Sequence, residues 1–479
     1  MNWALALLSA ALLVVTFPGY NVFWLAPVAL APMMIAAARE RRARRRFLIG
    51  WIAGIVYWFC ICNWIQSTIQ AHGGMSAASA WFCFALFCMA KALQMAAFLW
   101  LAGWTMQWRF AIPATAALWV LIEYTHAPLG FAWLDLGNAA IDMGAPMRLA
   151  PVAGVWAISF LFAALSADLA DFACGRRGIP FLGLALVPLL WLLPPVPSEA
   201  SATERATLVQ PNTDENEIFS PQSLLNLLQR MNELSLAAPS RLLVWPETPA
   251  PFYDNDPNLM ALLESIAQRG NQAFLVGLIG HGSDNSDRNS ATLIDPQGRI
   301  VSRYDKVNLV PFGEFVPWPL GPIAFKITKE AGDFRPGTQQ VVSIEEGHKV
   351  ATFICYESVF PRFISGFVKD GAEVLINPSN DGWFARTAAR YQHLEIVRMR
   401  AAENQRWILR ATNDGISAAI DDAGRIRQEL PLYREASQAV GFEYKKQLAL
   451  YTRWGDWFVA VCAALLAISH VESRVRRRP

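Results

Sequence analysis

Charge is scarce in this chain. Of its 479 residues only 17% are charged, while 54% are hydrophobic and 19 are tryptophan. That balance excludes an ordinary soluble protein and leaves length for two bodies, one of them in a membrane. The formal net charge is only +2, and the basic residues fall in short clusters, which argues against a nucleic-acid surface. Histidine is equally sparse. His72, His126, His281, His348, His393 and His470 show no ligand spacing with one another or with cysteine, so no metal is expected, and no organic cofactor either. The shortage of cysteine is the most informative. Cys60, Cys62, Cys83, Cys88, Cys174 and Cys462 lie in or beside hydrophobic segments, and residues 197–453 hold Cys355 alone. A disulfide framework is thereby excluded there, leaving an inert buried thiol or a nucleophile.

The hydrophobic runs come next. Eight are suited to spanning helices: Asn2 to Pro18, Asn21 to Ala38, Phe47 to Ile65, Ala80 to Trp104, Ile112 to Tyr124, Ala150 to Ala170, Pro180 to Pro195 and Trp457 to His470. The first has no basic n-region and runs straight into the second, so it reads as a retained span, not a signal peptide. Arginines gather at 39–46, at Arg176 and Arg177, and at 474–478. Eight spans with both termini inside put every cluster on the cytoplasmic side, and the segment between the seventh and eighth spans outside. The expected domains are residues 1–196 in the membrane, 197–453 exported, and 454–479 as a last span with a basic tail.

The exported segment has another texture. Short β-like runs (Ala206 to Val209, Leu242 to Trp245, Ala273 to Gly277, Val350 to Ile354, Val374 to Asn377, Trp407 to Ala411, Ile416 to Ile420) alternate with helical stretches such as Pro221 to Leu236 and Tyr391 to Gln405. The pattern predicts one layered α/β domain. Heptads, a glycine-rich phosphate loop and internal repeats are all missing from it.

Three motifs sit at strand ends. Leu242-Leu243-Val244-Trp245-Pro246-Glu247 leaves a carboxylate just past a buried strand that proline terminates. The run from Arg299 to Lys306 ends in a lysine, and Cys355 follows a third strand in Phe353-Ile354-Cys355-Tyr356-Glu357-Ser358. Sites in α/β sheets form beyond the carboxyl ends of strands, so the three side chains are expected to converge. A thiol attacks as thiolate, a carboxylate can take its proton, and a lysine can stabilise the thiolate and an oxyanion.

Trp245-Pro246-Glu247, then Tyr304-Asp305-Lys306 with Leu309-Val310-Pro311-Phe312-Gly313-Glu314, then Cys355-Tyr356-Glu357 resemble, in order, the Glu-Lys-Cys triad of the nitrilase (carbon-nitrogen hydrolase) superfamily. Flanking spans, Val310 to Pro317, Ser379-Asn380-Asp381-Gly382-Trp383-Phe384, Gln392-His393, Arg398 to Ala401 and Arg410 to Ser417 extend the resemblance to the bacterial apolipoprotein N-acyltransferase family over nearly the whole chain. The resemblance implies an α-β-β-α sandwich beside a polytopic helical domain in the inner membrane, with a periplasmic catalytic domain. It implies a monomeric enzyme that takes an acyl chain from a glycerophospholipid, holds it as a thioester, and passes it to the N-terminal diacylglyceryl-cysteine of an apolipoprotein, the last step of lipoprotein maturation. By motif, Cys355 is the nucleophile, Glu247 the base and acid, and Lys306 the oxyanion stabiliser, with Glu314, Glu357 and Tyr356 supporting.

Other residues are weaker candidates. Trp318, in an apolar proline-rich loop, and Trp383 with Phe384 suit a lid or pocket for lipid, though packing suits them as well. Phe219 stands where the family often has tryptophan. Phe131-Ala132-Trp133-Leu134 replaces a Phe-Pro-Trp-Leu element, and His126 replaces a basic residue near it. Lys91 and Glu123 fall inside apolar runs, where charge signals function or pairing; Glu123 is expected to shape the route between bilayer and active site. A membrane-anchored amidase using the same triad is the competing reading, and a transporter or scaffold with a binding-only domain the third.

Overall fold

The computed structural model describes residues 1–72, 74–175, 179–199, 202–214, 219–311, 313–315 and 334–475. The chain divides into two compact units. One comprises Met1–Ser67, Ser76–Val196 and Trp454–Pro479, and the other Thr68–Met75 and Pro197–Arg453.

The first unit is helical. Ala77–Thr105, Pro146–Ala173 and Trp457–Val475 are each long and apolar enough to cross a membrane, and Ala43–Ile61 with Trp64–Ala71 forms a pair bent by 60°. Asn2–Thr16, Phe23–Arg39 and Ala111–Tyr124 are shorter apolar helices. Gly50 and Gly54 let two backbones meet: a Cβ on Gly50 would lie 2.7 Å from the Met95 carbonyl, and one on Gly54 2.9 Å from Ala92 Cα. Small residues at a helix crossing are the usual device where water does not drive association.

The expected eight spans are therefore not what the described residues show. The seventh run, Pro180 to Pro195, forms only a helical turn at Leu186–Leu189 and a 3-10 turn at Leu190–Leu192. Pro188 removes a donor from its middle, Phe181 is left-handed (φ 62°), and the Leu184 amide donates to Asp168 Oδ2 at 2.6 Å. Hydropathy measures length and apolarity, not the continuity of backbone bonding.

The second unit is layered. Its first sheet runs β12-β1-β2-β3-β4-β5 and its second β11-β10-β9-β8-β7-β6. The strands are β1 (Glu204–Gln210), β2 (Leu242–Val244), β3 (Ala273–His281), β4 (Asp287–Ile294), β5 (Ile300–Asp305) and β6 (Val342–Glu345). They continue with β7 (His348–Thr352), β8 (Val374–Ser379), β9 (Ile408–Thr412), β10 (Ala418–Ile420), β11 (Ile426–Glu429) and β12 (Ala436–Phe442). β1, β2 and β3 pair parallel, as do β7, β8 and β9, while the outer pairs are antiparallel. Buried on both faces, β2 and β8 are wholly covered, as parallel strands under helices are. Pro221–Ala237 and Pro257–Gly270 share a core with the first sheet around Leu227, Met231, Trp245, Leu263 and Phe274. Ala389–Asn404 covers the second sheet with Pro361–Lys369 packed beside it, and β1 faces β9. The layers run helix, sheet, sheet, helix.

A repeat of connectivity emerges that the sequence conceals. β1 to β5 and β7 to β11 each make two parallel crossovers and two antiparallel returns. β6 and β12 follow the two halves, each closing the edge of the sheet whose first parallel strand it pairs with. No matching residues mark the repeat, because strand and crossover require only apolar periodicity.

Candidate active site

Strand ends deliver the three expected side chains to one place. Pro246 stops β2, and the chain turns through Thr248 (φ 30°). Gly277 on the neighbouring strand makes room, since a Cβ there would lie 2.3 Å from the Pro246 carbonyl. Glu247 is thus set at the edge between sheets, where its Oε2 accepts from the Asn380 amide beyond β8 at 2.8 Å. Lys306 leaves β5 with its amide bound to Asn289 O at 2.8 Å. Its Nζ donates to Glu247 Oε1 and to Glu314 Oε1, both at 3.0 Å.

The lysine is buried, only 1% exposed. Burial alone would lower its pKa, but Glu247 and then Glu314 outweigh that and raise it, so the ammonium keeps its charge. Asn289 Nδ2 stands between the same carboxylates, 2.7 Å from Glu247 Oε1 and 2.6 Å from Glu314 Oε1. Glu314 Oε2 accepts from the Val310 amide at 2.8 Å, which fixes the loop that carries it.

Cys355 follows β7 in left-handed backbone, φ 49°, where side chains with a Cβ are strained. Burial raises its pKa, the Glu247 charge raises it further, and Lys306 opposes both. The resting group is a neutral thiol beside a carboxylate, and it needs a base at the moment of attack. Glu357 clamps the two arms of the site. Tyr304 donates to both its oxygens (2.7 and 2.8 Å), the Val307 and Asn308 amides to Oε1 (2.8 and 3.0 Å), and the Ile354 amide to Oε2 (2.7 Å). The carboxylate thereby ties the Lys306 exit to the cysteine turn.

Residues 205–439 match the carbon-nitrogen hydrolase family, and residues 9–167 match the apolipoprotein N-acyltransferase N-terminal domain. The chain is 32% identical over 498 residues to the apolipoprotein N-acyltransferase of Geobacter metallireducens, covering 98% of this chain and 94% of that one. The chain belongs to the apolipoprotein N-acyltransferase family. It is an acyltransferase with a nitrilase-like α/β domain and apolar helices suited to a bacterial membrane. The apolipoprotein N-acyltransferase of Azotobacter vinelandii is likewise 32% identical, over 96% of this chain and 93% of its own. Among solved structures, an amidase of the nitrilase superfamily from Nesterenkonia AN1 aligns with a TM-score of 0.42 and 20% identity, covering 55% of this chain and 98% of that one.

Not every expected residue of this acyltransferase joins the cluster. Tyr356 is buried edge-on against Phe360, and Phe384 lies edge-on against His393 at 5.5 Å. Trp383 is half-buried near Gly313, and its carbonyl accepts from Thr68 Oγ1 at 2.8 Å. Phe219 packs on the core beneath the first sheet. Trp318 and its loop fall outside the described residues. Glu123 belongs to the helical unit, where Oε1 accepts from the Leu136 amide at 2.7 Å. In the same unit Lys91 donates to Phe131 O at 2.9 Å and lies over the Trp58 ring at 4.8 Å. His126 sits 3.7 Å from Asp135.

Sequence reasoning missed Asn289. It lies in β4 at a fully covered position, and a polar amide on a strand otherwise filled by Ala291 and Leu293 was the available signal. It also missed the joint role of Asp381, His393 and Arg410. Arg410 Nη2 meets Asp381 at 2.7 and 2.8 Å and His393 Nδ1 at 3.2 Å, all three side chains being buried. Burial would raise the Asp381 pKa, but Arg410 holds it well below the usual carboxylate range.

Proposed function

We propose that the chain moves an acyl chain from a membrane glycerophospholipid to the α-amino group of the diacylglyceryl-cysteine of an apolipoprotein, through a thioester on Cys355. The observation that carries this reading is the buried Glu247–Lys306–Glu314 cluster acting on an isolated thiol, in a chain whose relatives bear that name. In the first half-reaction Glu247 takes the thiol proton as sulfur attacks the donor's ester carbonyl. Lys306, charged and fixed by two carboxylates, faces the oxyanion. Collapse expels the lysophospholipid alkoxide, which regains the proton from Glu247 and leaves the acyl thioester. In the second half the acceptor amine attacks the thioester, Glu247 takes the amine proton, and the Cys355 thiolate departs and takes that proton back from Glu247. No water is consumed. Glu314 and Asn289 hold Lys306 and Glu247 in register, Glu357 holds the cysteine turn, and Tyr356 packs behind it.

Residues 1–196 and 454–479 are then the membrane part and 197–453 the catalytic domain of a monomer. The arginine clusters favour an inner-membrane placement with both termini cytoplasmic and the catalytic domain periplasmic. For that, residues 180–195 have to cross despite their broken helix. A periplasm-active reporter fused after residue 197 should be active and one fused after residue 479 silent; the reverse would overturn the topology. Trp383, with Trp318 and Glu123, is assigned to the lipid path, and Phe219 and Phe384 to its support.

The test of function is intact-protein mass spectrometry of wild type and Cys355→Ala in detergent with phospholipid and no acceptor. A gain of one acyl chain on wild type alone, removed by hydroxylamine, is expected. No adduct with any donor, together with hydrolysis of small amides, would favour the amidase reading, against which the match of residues 9–167 stands.

A further inference from the structure

We infer that His393 is a positioning residue for the nucleophile, its ring holding the Cys355 carbonyl and with it the left-handed turn that aims the thiol; the inference rests on the acyl-transfer reading above. His393 is fully buried on helix Ala389–Asn404. Its Nε2 lies 3.2 Å from the Cys355 carbonyl oxygen and 3.0 Å from Ser358 Oγ, and its Nδ1 lies 3.1 Å from Asp381 Oδ1 and 3.2 Å from Arg410 Nη2.

The partners select the tautomer. Arginine can only donate, and a carboxylate and a carbonyl can only accept. With the proton on Nε2 the ring suits Arg410 and the Cys355 carbonyl and opposes only Asp381, whereas with the proton on Nδ1 it would oppose both the arginine and the carbonyl. The partners together favour Nε2–H, with the Ser358 hydroxyl able to serve either form. That proton faces a carbonyl, which can only accept. Burial and then the Arg410 charge lower the ring's pKa, which keeps it neutral and keeps this arrangement. Asp381 orients the arginine, and Arg410 also bonds Asn377 Oδ1, whose Nδ2 donates to the Phe353 carbonyl at 3.1 Å. With the Ile354 amide on Glu357, main-chain groups at three successive residues, Phe353, Ile354 and Cys355, have assigned side-chain partners.

A residue with a Cβ in left-handed backbone is disfavoured by about as much as one buried hydrogen bond contributes. The single bond from Nε2 is therefore of the right size to decide whether the turn holds. A histidine that merely filled the core would be replaceable by any side chain of similar volume. A positioning histidine is replaceable only by one that restores a donor at the Nε2 position. Glutamine does so, because its amide nitrogen reaches that place. Asparagine reaches only Nδ1, and leucine restores nothing.

The experiment compares His393→Gln, His393→Asn and His393→Leu in the full chain in detergent. The rate of thioester formation from phospholipid is measured against donor concentration, alongside thermal unfolding. In the leucine and asparagine chains the limiting acylation rate should fall about 10- to 100-fold, the scale of a nucleophile displaced by a fraction of an ångström to an ångström, with half-saturation by donor unchanged. The glutamine chain should stay within about threefold of wild type. Equal loss in glutamine and leucine chains would overturn the inference, as would a loss confined to half-saturation or a leucine chain that acylates normally. If leucine prevents folding, the glutamine and asparagine chains decide by the same criterion. Absence of any thioester in wild type would instead sink the acyl-transfer reading itself.

Discussion

Strands β1 to β5 and β7 to β11 follow one course, yet the carboxylates just beyond their second strands behave in opposite ways. Glu247, past β2, shares one lysine with Glu314. Asp381, past β8, is gripped by the flat guanidinium of Arg410 through both its oxygens. In the first group two carboxylates divide a single point charge. In the second one guanidinium nitrogen, Nη2, meets both oxygens of a single carboxylate, and its pKa is held down where it cannot act as a base at neutral pH. The difference teaches how one scaffold can hold two kinds of buried charge: the proposed reactive centre sets one lysine between two carboxylates, and the brace sets one arginine against one carboxylate. The first strands differ likewise. Both exits pass through left-handed residues, Asn212 after β1 (φ 55°) and Cys355 after β7 (φ 49°). Asparagine adopts that backbone readily, and cysteine has to be held in it.

The contrast can be broken at its reactive end first. Lys306→Met should reduce the acylation rate about 10²- to 10³-fold, the usual loss when an oxyanion partner is removed, read as the rate of mass gain with phospholipid. A loss below tenfold would mean the lysine only balances charge.

The brace should fail differently. Arg410→Met leaves Asp381 buried without its permanent cation, a change expected to cost about 3–5 kcal/mol of stability, seen as a lower thermal midpoint at pH 7. The pH response sharpens this. A carboxyl held below its ordinary value adds stability above about pH 4 and loses it as pH falls towards the depressed value. Wild type should accordingly weaken on acidification below about pH 4. The variant, whose Asp381 now resists ionising, should instead gain stability as pH falls from 7 to 5. Parallel pH curves for the two chains would contradict the assignment of Asp381 as a braced, permanently ionised group.

The smallest effect lies at the elbow of the first half. Asn212→Ala should cost about 1 kcal/mol, the left-handed penalty for a residue with a Cβ, and leave acylation unchanged. A matching loss of acylation would show that the first-strand exit takes part in the reaction after all.

Much of this was open to reading from residue order. Glu247 and Cys355 follow apolar runs, so their places at strand ends were visible from periodicity and from Pro246. Lys306 was visible for the same reason. Asn289 was hidden because its one sign, the two-residue spacing that puts it on the face of Ala291 and Leu293, is obscured by its polar neighbours Asp287, Arg288 and Ser290. The brace was hidden because Asp381, His393 and Arg410 come from a 3-10 turn, a helix and a strand far apart in the chain. The broken seventh segment eluded hydropathy, which counts apolar side chains and is blind to where a backbone amide finds its acceptor.

By itself the sequence determined the two textures of the chain, the apolar helices, the α/β order and the three side chains that the strand ends bring together. Each of these is written in local periodicity or in short motifs. Only the tertiary structure decided which carboxylates share one lysine and which pairs with an arginine, how the two halves repeat, and what contacts the cysteine turn makes. Those depend on contacts between residues far apart in the chain, and hydrogen-bond geometry in a buried site is fixed by packing from every side at once.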